Sequence, residues 1–560
     1  MDKTMAAPFQ KVSLRQPNWV AAILITVAAV WLHFFFLVHA GGFWRDEVNL
    51  INLATRHSVS DMARDSFPVL MPVMVKTWLG IGLGRDDVNL RLLGTMIGMG
   101  TLAGLWIAAW TARRVPPLFS LTLFGLNSTI IVFGDSIRAY GLGGLLIVST
   151  MAAAGLFLKK TSWARAGLMA VLAVLSVQTL YHNAILVGAI CLGAVAVCAR
   201  RKAWLAAMQM LMAGLLAAIS LLPYAPGLVS GRESAIVLRT GIMWPRFLAD
   251  LINALGFPWR QYVFLWGLLA LVVVVCAGAA LRRKTASSEK SAEGVMADDL
   301  CLFAGTTLLA AVAGFLGFLW FMGLPGQPWY FLPLMVLAAA CFDLGLPVLP
   351  RYFRAAALGF VLATAVISFP IARHDLNYRF TNIDAWARGL MAEASPDDFV
   401  VVTPWFCGIS FEHYFKSSTP WTTLPPLSDY STHRYDLVRI QMQKSNAMQP
   451  VLDEIASTLH SGHRVWVLAI TGLVKIPDPG EPPPADLPPP PLPNTGWAND
   501  PYEYTWTSQV AHFLSRHSRQ FGRVRNPGPG TPTAEDMDLF RAEGWRDSDP
   551  FSPATSSKTK

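Results

Sequence analysis

Apolar runs of about 20 residues, the length an α-helix needs to cross a hydrocarbon core of roughly 30 Å, recur through the first two thirds of this sequence. They fall near residues 18–40, 88–111, 117–134, 138–158, 163–180, 183–199, 203–223, 262–281, 300–322, 328–349 and 354–372, and nothing comparable follows. In lipid the backbone amides of such runs find partners only within a helix, so the pattern predicts a polytopic α-helical membrane protein of about eleven spans over residues 1–372. Composition agrees: 53% of the 560 residues are hydrophobic and only 14% charged, with a mean hydropathy of +0.41. The first run follows a basic segment (Lys3, Lys11, Arg15). It is too long for a signal-peptide core and lacks a small-residue cleavage pattern before "WRDE", so it reads as a retained span.

The formal net charge of +9 does not point to nucleic acid, because the basic residues cluster in alternate short connections. These read "TARRVPP", "LKKTSWARAG", "CARRKAW", "LRRKTASSEK" and "LPRYFRA". Positive residues concentrate in cytoplasmic loops, which places these five connections and the N-terminus inside. Loop 41–87, the turns near Asp135, His182 and Gly326, loop 224–261 and the tail from Arg373 then face outward. Five of the six cysteines lie in or at the edge of spans and Cys407 lies in the tail, a distribution that implies neither a disulfide framework nor a CxxC metal site.

The tail, 373–545, reads as a small extracytoplasmic α/β domain. "NIDAWARGLMAEA" and "NAMQPVLDEIASTL" have helical periodicity, and "DDFVVVTP" and "HRVWVLAI" are strand-like. "PDPGEPPPADLPPPPLP" (477–493) can pack as neither and predicts an extended polyproline spacer, while 546–560 read as disordered.

Directly after the first span, "GGFWRDEVNL" presents Arg45, Asp46 and Glu47. Charges at a span's end commonly do no more than mark the water boundary. Two features favour more. Loop 41–87 is long and amphipathic, with Val48, Ile51 and Leu53 on one face of "EVNLINLATRH" and an apolar "FPVLMPVMVKTWLG" suited to the membrane surface. Other outward turns also carry ionisable groups: Asp135 and Arg138 in "FGDSIRAYG", His182 beside Tyr181, and Arg232 beside Glu233. A water-filled cavity between helices would gather them. On a helix Asp46 and Glu47 diverge by about 100°, so one acid acts while the other positions or binds. "GLGGLL" and "GIGLG" are small-residue packing or turn sequences, since no strand precedes and no GK[ST] follows. The sequon at Asn127 lies inside a span.

The Asp-Glu pair after the first span, the Pro-containing "FPVLMPVMVKTW" and "RLLGTMIGMGTL" opening the second span resemble the GT-C-fold glycosyltransferases. Within that class the sequence is similar to the protein O-mannosyltransferase, lipid A aminoarabinose transferase and RgtA/B/C/D-like group. "SIRAYGLGGLLIVST", "YHNAILVGAI" and "GQPWYFLPLMVLA" resemble further segments of the group, although Pro328 and Trp329 stand where the family has Arg. The resemblance covers the organisation of residues 18–372.

It implies a bacterial inner-membrane enzyme that moves a sugar from a polyprenyl-phosphate donor to an extracytoplasmic acceptor, whether envelope glycan, lipid or protein. The bilayer is the other partner, and no nucleic acid is expected. Asp46 matches the family's catalytic first-loop acid and is the expected base, with Glu47 in support. Arg138 is the expected cation for the departing phosphate, with Arg232 and Lys76 as further candidates. Arg45 either anchors the loop at the headgroups or lends charge to the phosphate. Asp135 matches a second outward acid, which orients the acceptor, holds Arg138 or merely caps a helix. Tyr140, His182 and Tyr330 lie in the family-like segments and count as substrate-binding candidates, His182 equally as a helix anchor. A divalent ion between Glu47 and His182 suits the residue types, but no HxxH or HExxH spacing supports one, so no cofactor is expected to be required. Two readings from other classes stay open: a transporter or lipid flippase without covalent transfer, and a scaffold indifferent to Asp46.

Overall fold

The computed structural model describes residues 17–63, 67–84, 86–226, 244–283, 292–322, 326–346, 351–478, 481–492, 497–524 and 534–547. Its first part is helical: α1 (Pro17–His39), α2 (Arg45–Arg56), α3 (Val59–Met62), α4 (Leu70–Gly80), α5 (Asp87–Arg113), α6 (Leu118–Leu123), α7 (Ser128–Asp135) and α8 (Ala139–Lys159), followed by further long helices to Asp375. Among the described residues nine helices are long and apolar enough to cross a membrane. Two of the eleven expected spans are not single long helices. The run at 117–134 is broken into α6 and α7, because Asn127 leaves the helix and caps the next one, its Oδ1 accepting from the amides of Thr129 (3.0 Å) and Ile130 (3.4 Å). The start of α6 is held by Asp343, which accepts the amides of Phe119 (2.9 Å) and Ser120 (3.0 Å), donors that a helix N-terminus leaves unpaired. The run at 163–180 forms only Trp163–Val177, 15 residues.

Glycine lets α5, α7 and α8 touch backbone to backbone. A Cβ on Gly94 would lie 1.9 Å from the Asp135 carbonyl oxygen, and one on Gly141 1.9 Å from that of Gly134. These contacts fix the α7–α8 turn, residues 136–138, against the bundle. Asn127 is fully buried, with its Nδ2 on the Ala254 carbonyl (3.2 Å).

Loop 41–87 is built from α2, α3 and α4 rather than lying open on a membrane surface. Val48, Leu50, Ile51, Asn52, Leu53 and Ala54 are all buried, more than one helical face can supply, because the C-terminal domain covers the side that the bundle does not. In α4, Met71, Pro72, Val75 and Trp78 are buried in the helical core.

The C-terminal domain is a five-stranded sheet of order β2-β1-β3-β5-β4, with β1 (Phe399–Thr403), β2 (Trp421–Thr423), β3 (Val465–Ile470), β4 (Ser518–Arg523) and β5 (Met537–Trp545). β1 runs parallel to β2 and β3, whereas β5 is antiparallel to β3 and β4. Alternating residues feed two cores. Phe399, Val401 and Val467 meet Trp405 and Trp506 on one face, and Val400, Val402 and Trp466 meet Trp386 on the other. The two expected helices are Ile383–Glu393 and Gln449–His460. The described part of the Pro-rich stretch forms neither helix nor strand, but it lies on the domain: Leu487 packs against the core, Tyr502 donates to the Pro489 carbonyl (2.5 Å) and Arg439 to that of Leu492 (3.1 Å). Within 546–560, Arg546 is tied back by its amide to the His517 carbonyl (2.9 Å), and 548–560 lie outside the described residues.

The close contact at Gly94 predicts that Gly94→Ala separates α5 from α7 at a cost of about 1–3 kcal/mol. Thermal unfolding in detergent should show a lowered Tm, whereas Gly267→Ala, which meets nothing within 4 Å, should leave it unchanged.

Candidate active site

The chain leaves α1 through Gly41 and Gly42 and enters α2 at Arg45, so Asp46 and Glu47 fall in the first turn. Carboxylates are stabilised there by the exposed amides and the helix dipole. As adjacent residues they diverge, and the two environments differ accordingly.

Glu47 is 2% exposed and both of its oxygens are taken. Oε2 accepts from Arg91 Nη2 (3.1 Å) and Oε1 from the Ile137 amide (2.9 Å). Arg91, equally buried, also donates to the Gly41 carbonyl (2.6 Å). Glu47 therefore clamps the start of α2 to α5 and to the α7–α8 turn. Both oxygens of this acid, weighed above as a metal partner of His182, face these donors. Among the described residues no three His, Cys, Asp or Glu side chains converge as a metal cage.

Asp46 points the other way. Its Oδ2 lies 2.9 Å from Arg138 Nη1 and its Oδ1 3.1 Å from His433 Nε2, with Arg45 Nε at 3.7 Å. Burial alone would raise its pKa, but Arg138, the His433 hydrogen bond and Arg45 outweigh it and hold the carboxyl well below its ordinary value. Asp46 thus stays ionised at physiological pH. Its stabilising contribution is present above the ordinary value of 3.8 and is lost only as pH falls through the lower folded value. Because an ionised carboxylate only accepts, the proton in its bond to His433 sits on Nε2.

Arg138 is boxed by aromatic faces, its guanidinium carbon 5.2 Å from the Trp44 ring, 4.9 Å from Tyr140 and 5.3 Å from Trp329. Tyr330 and His182 extend this wall, with ring centroids 5.9 and 6.4 Å from Tyr140. Nε1 of Trp44 and Nε2 of His182 are buried with no hydrogen-bond partner among the described residues. Polar atoms are rarely left this way unless a ligand or water takes them.

Other sequence candidates lie elsewhere. Asp135 is fully buried and bonds His33 of α1, Oδ2 to Nδ1 at 2.7 Å, instead of Arg138 or solvent; it ends α7 and caps no helix start. The close approach of α5 at Gly94 and Gly98 turns it inward, and a Cβ on Gly98 would lie 2.1 Å from its Oδ1. Arg45 is turned toward the C-terminal domain: its amide (3.0 Å) and Nη1 (3.3 Å) bond Glu535, and its guanidinium stacks on Phe406 at 4.2 Å and lies 5.1 Å from the Trp44 ring it shares with Arg138. Lys76 is exposed and its Nζ reaches the His57 carbonyl at 3.4 Å. Arg232 lies outside the described residues.

Sequence reasoning missed Arg91, His433 and Glu535. Arg91 opens "RLLGTMIGMGTL", where a charge at the mouth of an apolar span is itself a signal. His433 and Glu535 sit in polar segments of the tail without a local pattern, and only the packing of the domain on α2 brings them in.

No protein-family model matches the chain, and no curated protein does. Solved structures similar to it include the oligosaccharyltransferase of Archaeoglobus fulgidus in complex with zinc and sulfate, with 10% identity and a TM-score of 0.47 over 80% of this chain and 68% of that one. The same enzyme tethered to an acceptor peptide gives 12% and 0.48 over 97% and 75%. ArnT from Cupriavidus metallidurans bound to undecaprenyl phosphate gives 13% and 0.47 over 81% and 93%.

The Glu47–Arg91 clamp yields a prediction. Arg91→Leu leaves a buried carboxylate unpaired and should cost about 3–5 kcal/mol. Adding Glu47→Leu should recover part of that loss, so thermal unfolding of the two single variants and the double variant should reveal a large coupling energy.

Proposed function

We propose that this protein is a membrane glycosyltransferase that takes a sugar from a polyprenyl-phosphate donor and transfers it to an extracytoplasmic acceptor, a cell-envelope glycan, lipid or protein. The observation that carries the reading is the ionised Asp46 paired with an aromatic-boxed Arg138, beside the unpartnered Nε1 group of Trp44. A guanidinium and convergent N–H donors are what a phosphate leaving group demands, and a carboxylate alongside them is what a hydroxyl acceptor demands. The resemblance of the first loop and of the spans on either side of it to GT-C transferases agrees with that chemistry.

In the reaction, the bond from C1 of the sugar to the phosphate oxygen breaks as the bond from C1 to the acceptor oxygen forms. The acceptor's proton passes to Asp46, and polyprenyl phosphate departs with the electron pair. Arg138, with the Trp44 N–H group, receives the growing negative charge. An acid as weakly basic as Asp46 is suited to a transition state of oxocarbenium character, in which the acceptor becomes acidic late. Donor phosphate also competes for Arg138. Drawing that cation away raises the proton affinity of Asp46 when the donor is in place. Tyr140, Tyr330 and His182 wall the pocket on the Arg138 side.

The five basic connections support a cytoplasmic N-terminus and an extracytoplasmic C-terminal domain, in a bacterial inner membrane. No step above calls for a metal.

Asp46→Asn keeps the shape and removes the base. Transfer from radiolabelled undecaprenyl-phosphate pentoses and hexoses to envelope lipid and glycan, at matched amounts of folded protein, should fall about 10²–10⁴-fold. Full activity in this variant, or movement of sugar lipid across proteoliposomes with no covalent product, would sink the reading.

A further inference from the structure

The segment "SDYSTHRYD" (428–436) of the C-terminal domain lies on α2, and three side chains on one side of that helix grip it. Asn52 Nδ2 donates to the Ser431 carbonyl (2.9 Å), Asn49 Oδ1 accepts the His433 amide (2.8 Å), and Asp46 Oδ1 accepts from His433 Nε2 (3.1 Å). The spacing of these residues, three apart, places them in a row along the helix. The segment is itself stiffened by Arg434, whose guanidinium spans Asp429 (2.5 Å) and Asp436 (2.7 Å). The imidazole is held between aromatic rings, parallel to Tyr435 at 5.8 Å and perpendicular to Trp405 at 6.2 Å.

Two of the three grips use the backbone of the segment and would dock it whatever side chain stood at 433. The third is different. It spends a well-restrained imidazole on one oxygen of the carboxylate that the proposed chemistry needs, opposite the oxygen taken by Arg138. Without the imidazole, Oδ1 keeps only the longer contact to Arg45 Nε (3.7 Å), and the carboxylate could swing to pair with Arg138 through both oxygens, the arrangement guanidinium and carboxylate prefer. That would turn both oxygens away from an acceptor and occupy the cation meant for the phosphate.

We propose that His433, delivered by the C-terminal domain, is a positioning residue of the reaction centre: its Nε2–H fixes the Asp46 carboxylate in the orientation that leaves it available to the acceptor and keeps Arg138 available to the donor phosphate. This rests on the glycosyltransferase reading above. The C-terminal domain then completes the site by contributing a group to it, beyond simply standing over it.

Two substitutions separate this role from plain packing. His433→Phe keeps a flat ring between Tyr435 and Trp405 and keeps both backbone grips but has no donor. His433→Gln loses the ring and keeps an N–H at similar reach. Both are assayed in the full-length protein, for turnover of the undecaprenyl-phosphate sugar that wild type accepts and for binding of undecaprenyl phosphate alone. A lost hydrogen bond to a charged group should lower kcat of His433→Phe about tenfold or more and, because Asp46 then competes for Arg138, raise the Kd for undecaprenyl phosphate, and His433→Gln should regain most of both. Wild-type turnover in His433→Phe, an unchanged Kd for undecaprenyl phosphate in that variant, or equal loss in both variants would each overturn the positioning role. If wild type transfers no sugar, the glycosyltransferase reading fails, and this role with it, before any variant is compared.

Discussion

The buried ion pair of Glu47 and Arg91 is the joint on which the rest of the molecule's chemistry hangs. Four stretches that are remote in sequence meet at it: the Gly41 and Gly42 carbonyls after α1, the first turn of α2, the outer part of α5, and the Ile137 amide in the turn before α8. Each oxygen of the carboxylate accepts a bond, and both terminal nitrogens of the guanidinium donate, in ways that fix orientation. A pair this deeply buried is not a large net source of stability, since removing two charges from water costs several kcal/mol each. Its value is that nothing else can satisfy either member, so the four stretches have one arrangement in which no charge is orphaned. Arg138, one residue beyond Ile137, inherits its position from that constraint.

Asp46 and Glu47 show how neighbouring acids acquire opposite duties. The helical turn directs Glu47 into the bundle, where it is saturated by donors, and directs Asp46 toward the seam with the C-terminal domain, where cations and an imidazole surround it. The first is structural because its partners are complete. The second is available because its partners, Arg138 and His433, are held chiefly by other contacts, one by aromatic faces and the other by the stiffened segment that carries it.

Much of this was legible in the residues. Span length and charge marked out the helical bundle, and Val-rich runs marked β1 and β3. Asp46 and Arg138 stood out as charges beside apolar runs, and the structure brings them into contact. What stayed hidden depended on tertiary packing. α6 and α7 read as one span because hydropathy does not register that Asn127 would rather cap a helix than continue one. Asp135 looked accessible at a turn, yet glycines 94 and 98 let α5 come close enough to enclose it with His33. His433 and Glu535 carry no local pattern, and β4, β5 and the helix Asp500–His517 between residues 500 and 545 were too mixed in polarity to announce themselves.

Asp46 and His433 are separated by 387 residues, and Arg45 and Glu535 by 490. Contacts of such separation are the last a growing polypeptide can make. During synthesis the helical bundle is therefore complete well before the seam against α2 can close, and until it closes Asp46 has Arg138 as its principal partner while α2 exposes the apolar side that the domain later covers. Closing that seam brings His433 to Asp46 and Glu535 to Arg45 in the same event.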